Sequence, residues 1–272
     1  MATKFRYPTG TRPLLIEETA RRRRIESRFV TLLEEAGFAE VVLPIIDFAE
    51  PYAGISGRSA KQSYRFTDRD GELVTVRSDF TPMVARALAP ALNDVQSNGN
   101  LPLRVFYRGD VIRCEATRLG ANRELFQIGA EIVGDASAEA DVTMLRLAAD
   151  IATAFSDNPL VVYTDGPHLD DPRFVQHEEE SDTGYYTGVR FWVYGDDRRT
   201  PLAQGGRYDS LYERFGTGAP AIGFTFTVNS DEGADSRARG AGAGARELTP
   251  ATSDLSPDLR PAPSALRPET ET

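Results

Sequence analysis

The chain has 272 residues, of which 40% are hydrophobic and 26% charged, with a formal net charge of -10 at pH 7. That length and apolar fraction suffice for one large folded domain, whereas the negative charge argues against a broad electrostatic grip on nucleic acid. A single cysteine, Cys114, excludes an internal disulfide and a cysteine cage for a metal.

The first predicted element is an amphipathic helix over residues 14–36. Its apolar residues recur at helical spacing, and Gly37 follows as a candidate C-cap. Four consecutive arginines, residues 21–24, raise the possibility of nucleic-acid binding. Because glutamates flank them on both sides, we interpret them as part of a solvated helix face.

Short extended segments follow this helix. Residues 39–48 are interrupted by Pro44, which predicts an edge or interface strand. Residues 61–68 and 72–77 form a predicted hairpin, with the Asp-Gly pair at 70–71 supplying the turn. A second helix is predicted to begin at the Thr-Pro pair of residues 81–82, with the threonine hydroxyl as N-cap and the proline at the first helical position.

The central segment, residues 111–134, ends in a strand whose two faces differ. One predicted face is apolar and the other carries an amide and a carboxylate around a glycine, because side chains alternate along a strand. The apolar face contains Phe126, Ile128, Ala130 and Ile132, and the other contains Leu125, Gln127, Gly129, Glu131 and Val133. A buried carboxylate is costly unless it is paired, so Glu131 requires a partner from the protein or from a ligand.

The remaining elements alternate between helix and strand. The sequence predicts a helix over residues 136–155, a strand over 160–165, an irregular polar stretch over 166–183, two strands and a short helix from Asp209 within 184–216, and a last strand over 219–228. Hairpins mixed with helices predict an α+β fold with a mainly antiparallel sheet.

The composition changes sharply after residue 228. Residues 229–272 are dominated by glycine, alanine, serine and proline, with almost no large apolar residue. Such a segment cannot offset its ordering entropy. We therefore predict a folded core over residues 1–228 and a disordered tail over 229–272.

The polar residues near the central strands suit a zwitterionic ligand. Carboxylates and amides such as Asp79, Gln127 and Glu131 suit an ammonium group, and Arg113 can bind a carboxylate or phosphate through two hydrogen bonds. Structural explanations remain open for the same residues. Thr81 and Asp79 can serve only the helix start, and Arg113 with Glu131 can form a structural ion pair.

Other chemistries find less support in the sequence. His168 and His177 lie in an acidic stretch, but their spacing matches no tight metal-ligand motif, so we predict no metal and no cofactor. The nucleophile-elbow, Walker and dinucleotide-binding motifs are absent. No apolar stretch of the sequence approaches a membrane span, and cysteine usage fits a reducing compartment. We therefore predict a cytoplasmic protein that binds neither membrane nor nucleic acid.

Five ordered motifs resemble the catalytic core of histidyl-tRNA synthetase. They are VRSDFTPMVARALA, FYRGDVIRCEATRLGANRELFQIGAEIVG, GYYTGVRFWVY, LAQGGRYDSLYERFG and APAIGF. The resemblance covers most of residues 5–226 and is strongest to the non-synthetase relatives that serve as regulatory subunits of ATP phosphoribosyltransferase. It implies a class II aminoacyl-tRNA synthetase-like fold that dimerises around the region of Pro44.

The resemblance also implies roles for residues at matching positions. Asp79, Thr81 and Gln127 match the group that holds the amino group of histidine. Glu131 and Tyr186 match residues that face the imidazole. Arg113 matches the arginine of the family's adenylate site. Residues 205–208, which include Arg207, match a Gly-Gly-Arg-Tyr segment that lines the same pocket in the family. Free histidine is the partner that the resemblance implies for Glu131.

Departures from the synthetase pattern concern the nucleotide site. The synthetase has Arg-Gly-Leu-Asp before its Tyr-Tyr pair, where this chain has Ser-Asp-Thr-Gly at 181–184. The synthetase ends its last motif in Gly-Leu-Glu-Arg, where this chain has Thr-Val-Asn-Ser at 227–230. We predict no anticodon-binding domain after this motif. Two arginines are thus missing from a phosphate site, where the loss of one such donor typically costs ~100-fold in rate.

The combined pattern predicts a non-catalytic regulatory subunit of short-form ATP phosphoribosyltransferase, the enzyme of the first step of histidine biosynthesis. Its predicted partners are the short catalytic subunit, free histidine as feedback inhibitor, and a second copy of itself in a hetero-oligomer. Two alternatives remain: a truncated histidyl-tRNA synthetase or other amino-acid ligase, and a stand-alone histidine-binding module.

Overall fold

The computed structural model describes residues 6–55, 63–97, 99, 101–114, 122–177 and 185–228. The predicted tail, residues 229–272, lies outside these ranges, as do residues 115–121 of the central segment. Within them, no helix is long and apolar enough to cross a lipid bilayer.

Eleven strands and three α-helices are defined within the described ranges. The strands are β1 (Ala39–Glu40), β2 (Ile46–Phe48), β3 (Arg65–Thr67), β4 (Leu73–Val76), β5 (Leu103–Ile112), β6 (Glu124–Val133), β7 (Leu160–Thr164), β8 (Phe174–Gln176), β9 (Arg190–Tyr194), β10 (Pro201–Arg207) and β11 (Ala221–Val228). The helices are α1 (Ile16–Glu35), α2 (Thr81–Ser97) and α3 (Ala138–Ala152), with 3-10 turns at Glu50–Tyr52 and Tyr212–Phe215.

Eight strands form one large sheet in the order β1-β5-β6-β11-β10-β9-β7-β8. All pairs from β5 through β7 are antiparallel, and only the edge strands β1 and β8 pair in parallel with their neighbours. Three further strands form a separate antiparallel sheet in the order β2-β4-β3. The predicted α+β fold with a mainly antiparallel sheet is confirmed.

One face of the large sheet packs against α1 and α3. Its core contains the predicted apolar face of β6, all four residues of which are less than 9% exposed. Phe29 on α1 contacts Phe226 on β11 edge to face, with ring centroids 5.0 Å apart. Such burial of large apolar side chains is the main source of stability in a fold of this size. The opposite face carries α2 and the polar residues of β6.

Most predicted boundaries agree with the structure to within a few residues. Gly37 has a positive φ of 81° after α1, as a C-cap glycine requires. The extended segment around Pro44 divides into β1 and β2, which are edge strands of two different sheets. Ser137 caps α3, because its Oγ accepts a hydrogen bond from the N–H of Ala140 at 3.2 Å.

One local prediction is wrong, and another is correct only in part. The stretch 166–183 contains strand β8, which pairs in parallel with β7. Pro172 and the surrounding acidic residues conceal this three-residue edge strand in the sequence. The helix predicted from Asp209 is a single 3-10 turn at Tyr212–Phe215, which ends at Gly216 with φ of 96°.

Candidate functional site

The polar face of β6 is organised around the carboxylate of Glu131, which is completely buried. Three hydroxyl groups form hydrogen bonds with it. Thr81 Oγ1 lies 2.9 Å and Tyr107 Oη 3.1 Å from Glu131 Oε1, and the hydroxyl of Tyr208 is hydrogen-bonded to Oε2. The protein therefore supplies the partners that a buried carboxylate requires.

These contacts correct two structural explanations suggested by the sequence. Thr81 is the first residue of α2, and its hydroxyl bonds to Glu131 on β6 rather than capping its own helix. Glu131 and Arg113 do not form an ion pair, because the carboxylate is bound by hydroxyl groups from α2, β5 and the segment after β10.

Two glycines create the space for this cluster. A Cβ atom at Gly223 on β11 would lie 1.3 Å from Glu131 Oε2, and one at Gly129 would lie 2.4 Å from Tyr107 Oη. Both distances are too short for real atoms, so the two side chains lie directly on the backbone of neighbouring strands. The glycine of the polar β6 face is explained by this close approach.

Burial raises the pKa of Glu131 to about 8, although hydrogen bonds from Tyr208, Thr81 and Tyr107 partly offset the shift. The negative charge of Asp79 raises it further. A carboxyl group in such surroundings carries its proton at neutral pH.

A polar cavity of about 350 Å³, including its open mouth, lies beside this cluster. Five of the seven predicted site residues line it: Asp79, Thr81, Arg113, Gln127 and Tyr186. The other lining residues are Tyr185, Gln204, Tyr208, Gly223, Phe224 and Thr225. Glu131 stands directly behind this wall, in contact with Thr81 and Tyr208.

The cavity carries polar atoms that the rest of the described chain leaves without a hydrogen bond. Gln127 Oε1 and Arg113 Nε are both buried and have no partner among the described residues. Asp79 Oδ1 accepts a hydrogen bond from the N–H of Thr81 at 3.3 Å. Burial raises the pKa of Asp79, and the positive charge of Arg113 opposes that shift.

Arg207 is the predicted site residue that the structure directs elsewhere. It pairs across the sheet with Ile222, which pairs with Ile132, so its side chain lies on the helix-covered face. There its guanidinium binds Asp141 on α3 at 2.6 Å and Asp209 at 3.0 Å. Arg207 is therefore not part of the cavity, because residues an odd number of positions from Gln204 point to the opposite face.

Sequence reasoning did not single out several residues that shape the site. Tyr107 faces Gly129 across the β5–β6 pair, and Thr225 faces Gly129 across the β6–β11 pair. The alternation of each strand was readable from the sequence, but the register between the strands was not. With a known register, each of these residues would have been seen opposite a glycine. That pairing would have indicated that their side chains extend over the neighbouring strand.

An aromatic shelf borders the cavity. Trp192, the only tryptophan of the chain, lies on β9 opposite Gln204 of the cavity wall. The guanidinium carbon of Arg190 lies 5.0 Å from the ring centroids of both Trp192 and Tyr186. These contacts hold Tyr186 against the sheet, where the lack of a Cβ at Gly206 leaves room for its ring.

A metal site finds no support in the described part of the chain. No group of three or more histidine, cysteine, aspartate or glutamate side chains is placed there to hold an ion. The acidic run at 178–180, which the sequence places beside His177, lies outside the described residues.

The chain matches the family model described as histidyl-tRNA synthetase over residues 10–162 and 175–230. It is 34% identical over 152 residues to a histidine--tRNA ligase of Rhodospirillum rubrum, a match that covers 53% of this chain and 35% of that protein. It is also 34% identical over 148 residues to an ATP phosphoribosyltransferase regulatory subunit of Symbiobacterium thermophilum, covering 54% and 36%. Each match thus spans about a third of the relative's length.

Solved structures show the same architecture. A Bacillus halodurans protein described as an ATP phosphoribosyltransferase regulatory subunit/histidyl-tRNA synthetase aligns with a TM-score of 0.71 at 20% identity, covering 84% of this chain and 82% of that one. The apo histidyl-tRNA synthetase of S. aureus aligns with a TM-score of 0.66 at 23% identity, covering 82% and 68%. The chain has a class II aminoacyl-tRNA synthetase-like fold, and by its family match it belongs to the histidyl-tRNA synthetase family.

Proposed function

We propose that this chain is a non-catalytic regulatory subunit of short-form ATP phosphoribosyltransferase. It supports the first step of histidine biosynthesis by a separate catalytic subunit and confers feedback inhibition by free histidine. The observation that carries the proposal is the cavity itself, which brings together Asp79, Thr81, Gln127, Arg113 and Tyr186. Relatives named as regulatory subunits of that enzyme support it.

The cavity suits a free amino acid. The carboxylate of Asp79 and the unpaired Oε1 of Gln127 are acceptors for an ammonium group. Arg113 offers a positive charge and an unpaired N–H to a carboxylate. Tyr186 provides an aromatic surface for a planar side chain. A zwitterion with a ring thus finds a complementary group for each of its parts.

The same cavity is poorly equipped to activate that amino acid. Arg113 is the one arginine among its described lining residues. The two further arginines of the synthetase pattern are replaced at 181–184 and 227–230. Stabilising the charge of a phosphoryl transition state requires such donors, so we propose that the chain binds histidine without forming an adenylate.

Regulation requires that histidine distinguish two states of the assembly. A ligand shifts an equilibrium only by its difference in affinity for the two states. We propose that histidine binds more tightly to the inactive assembly of regulatory and catalytic subunits than to the active one.

An exposed apolar face supports a homodimer within that assembly. Ile46, Phe48 and Phe66 lie on one face of the β2-β4-β3 sheet and are 49%, 49% and 41% exposed. Val42 and Ile45, beside Pro44, are also exposed. A contiguous apolar surface of this kind is typical of a protein interface, and we propose that a second copy covers it.

The test is phosphoribosyl-ATP formation by a short-form catalytic subunit alone, with this protein, and with this protein plus histidine. We expect stimulation by the protein and suppression by histidine. Gln127→Leu should retain stimulation and lose suppression, because it removes an acceptor from the cavity. Gln176→Leu, the same change at an exposed site on β8, is the matched control. Unchanged rates in all mixtures of the unmodified proteins would refute the proposal.

The ligase of Rhodospirillum rubrum is as similar as the regulatory subunits, which keeps amino-acid activation as a second candidate. That activity predicts histidine-dependent exchange of pyrophosphate into ATP. We expect none above background, and clear exchange would favour the ligase. The division into a core over 1–228 and a tail over 229–272, the cytoplasmic location and the lack of nucleic-acid binding stay predictions.

A further inference from the structure

Three hydroxyl groups of the cavity wall connect to one buried acid. Thr81 and Tyr208 line the cavity and are hydrogen-bonded directly to Glu131. Thr225 also lines it, and its Oγ1 lies 2.7 Å from the hydroxyl of Tyr107, which in turn contacts Glu131 at 3.1 Å. Each wall hydroxyl is thus one or two hydrogen bonds from the same carboxyl group.

The ionisation of that carboxyl determines the direction of every bond in the cluster. A carboxylate only accepts hydrogen bonds, whereas a hydroxyl has one proton to donate and lone pairs to accept. When Glu131 is ionised, Thr81, Tyr107 and Tyr208 all donate towards it. Tyr107 then has no proton left for Thr225, so Thr225 donates to Tyr107. All three wall hydroxyls consequently present lone pairs to the cavity.

Neighbouring groups of the cavity wall are also hydrogen-bond acceptors. The carboxylate of Asp79 accepts hydrogen bonds, and Gln127 Oε1 is a buried acceptor without a partner. Gln127 Nε2 is directed to Thr227 Oγ1, 3.4 Å away. With Glu131 ionised, this side of the cavity therefore consists of hydrogen-bond acceptors and is complementary to a ligand with several N–H groups.

Among the described residues, none of the groups around Glu131 supplies a compensating positive charge. Asp79 and Thr81 face it from the start of α2, and Tyr107 faces it from β5. Tyr208 and Tyr212 follow β10, and Tyr185 and Tyr186 precede β9. Gly223 of β11 adds only backbone. The positive charge of Arg113 acts on Asp79.

We propose that Glu131 is a positioning residue that sets the hydrogen-bond direction of the cavity wall, and that a donor-rich ligand binds with release of the Glu131 proton to solvent. The O–H bond of the carboxyl breaks, the proton passes to water, and the hydroxyls reorient without any covalent bond to the ligand. The wall then selects side chains that carry an N–H. This inference rests on the proposed function, because it takes histidine as the ligand.

The pKa of about 8 that burial gives Glu131 agrees with this geometry. The empty chain holds the proton at pH 7, and a bound N–H donor lowers the pKa of the carboxyl by stabilising its ionised form. Loss of one proton on binding makes the association constant rise about tenfold per pH unit below that value.

Isothermal calorimetry of histidine binding to the full chain tests the inference. Titrations between pH 6 and 7.5, in two buffers of different ionisation enthalpy, give the number of protons exchanged. The imidazole of histidine titrates in this range too, so the decisive quantity is the difference between the unmodified protein and Glu131→Gln. We expect the unmodified protein to release about one proton more per site and to show the steeper pH dependence.

Two further measurements test the selectivity of the cavity for N–H groups and the effect of a second variant. Thiazolylalanine, whose ring lacks an N–H, should bind the unmodified protein at least ten times more weakly than histidine, with a smaller discrimination in Glu131→Gln. Tyr208→Phe removes one wall hydroxyl and should weaken histidine binding while keeping the proton release. Melting curves establish that each variant is folded.

The outcomes separate this inference from the proposed function. Histidine binding with equal proton exchange and equal pH dependence in both proteins would overturn the role of Glu131 and leave the regulatory function standing. Absence of histidine binding to the unmodified chain would overturn both. If Glu131→Gln does not fold, net proton uptake near pH 7.5 by the unmodified protein, where free histidine is almost entirely in its neutral-imidazole form, would by itself refute the inference.

Discussion

The two faces of β6 are equally buried but differ in what the burial achieves. Ile128, Ala130 and Ile132 on one face are at most 1% exposed and pack against the helices. Gln127 and Glu131 on the other face are 4% and 0% exposed and face hydroxyls and the cavity. Apolar burial stabilises the fold, whereas burial of a carboxyl and an amide costs free energy unless every polar atom is satisfied. The polar face thus retains a buried acceptor, Gln127 Oε1, that has no partner among the described residues.

The largest effect on stability is expected at Arg207, a charged residue on the helix-covered, mainly apolar face of the sheet. Its side chain is 7% exposed, and its guanidinium bridges Asp141 and Asp209, whose side chains are 13% and 40% exposed. Arg207→Ala leaves the half-buried Asp141 without its partner. Because breaking a fully buried pair typically costs about 3–5 kcal/mol, we place this loss at about 3 kcal/mol. We expect that loss in urea denaturation, with histidine affinity unchanged within a factor of two. Arg199→Ala, at an exposed position, is the control. A loss of histidine affinity without a loss of stability would instead show that Arg207 belongs to the binding site.

A similar loss is expected on the apolar face of β6 itself. Ile128→Ala removes a fully buried side chain and should lower the free energy of unfolding by about 2–5 kcal/mol, with Ile128→Val costing about 1 kcal/mol. The pH dependence of stability should not change, because no titratable group is altered. A changed pH profile in Ile128→Val would contradict the separation of the two faces.

The polar face should instead make stability depend on pH. The pKa of Glu131 is about 8 in the folded chain and near its ordinary value when unfolded. The folded state therefore holds a proton that the unfolded state has lost, and stability should fall as pH rises from about 4.5 to 8, by at most ~1.4 kcal/mol per pH unit from this group. Urea denaturation at four pH values measures the slope, and Glu131→Gln should flatten it. An unchanged slope in that variant would disprove the assignment.

The smallest effect on stability is expected at the exposed apolar residues of the β2-β4-β3 sheet. Phe66→Ser on β3 changes a side chain that is 41% exposed and should alter the stability of the isolated chain by only about 0.5 kcal/mol. Analytical ultracentrifugation should nevertheless show a weaker dimer. Val175→Ser, at the exposed edge strand β8, is the control and should leave association unchanged. Equal dimerisation of both variants would place the interface elsewhere.

The sequence predicts each face of β6 correctly because alternation is a local property of a strand. The same rule, applied to β10, would have separated Arg207 from Gln204 and Tyr208, since an odd spacing reverses the face. The resemblance to a family motif grouped Arg207 with Tyr208, although only Tyr208 lines the cavity. Local periodicity was the better guide at this position.

Direct contacts between distant segments do not follow from local sequence patterns. Thr81 is predicted to cap a helix from its neighbours in sequence, whereas its hydroxyl meets Glu131, fifty positions away. The close approach of Glu131 to Gly223 depends on the register of β6 against β11. Register follows from the packing of the whole sheet and not from either strand alone.

The position of Trp192 has a practical consequence for spectroscopy. The chain contains one indole, and it lies on the strand next to the cavity wall, beside the guanidinium of Arg190. Indole emission responds to nearby charge and solvent, so the native protein carries its own fluorescent reporter. A ligand that displaces water from the shelf should shift that emission, and its occupancy can be followed by light without any label.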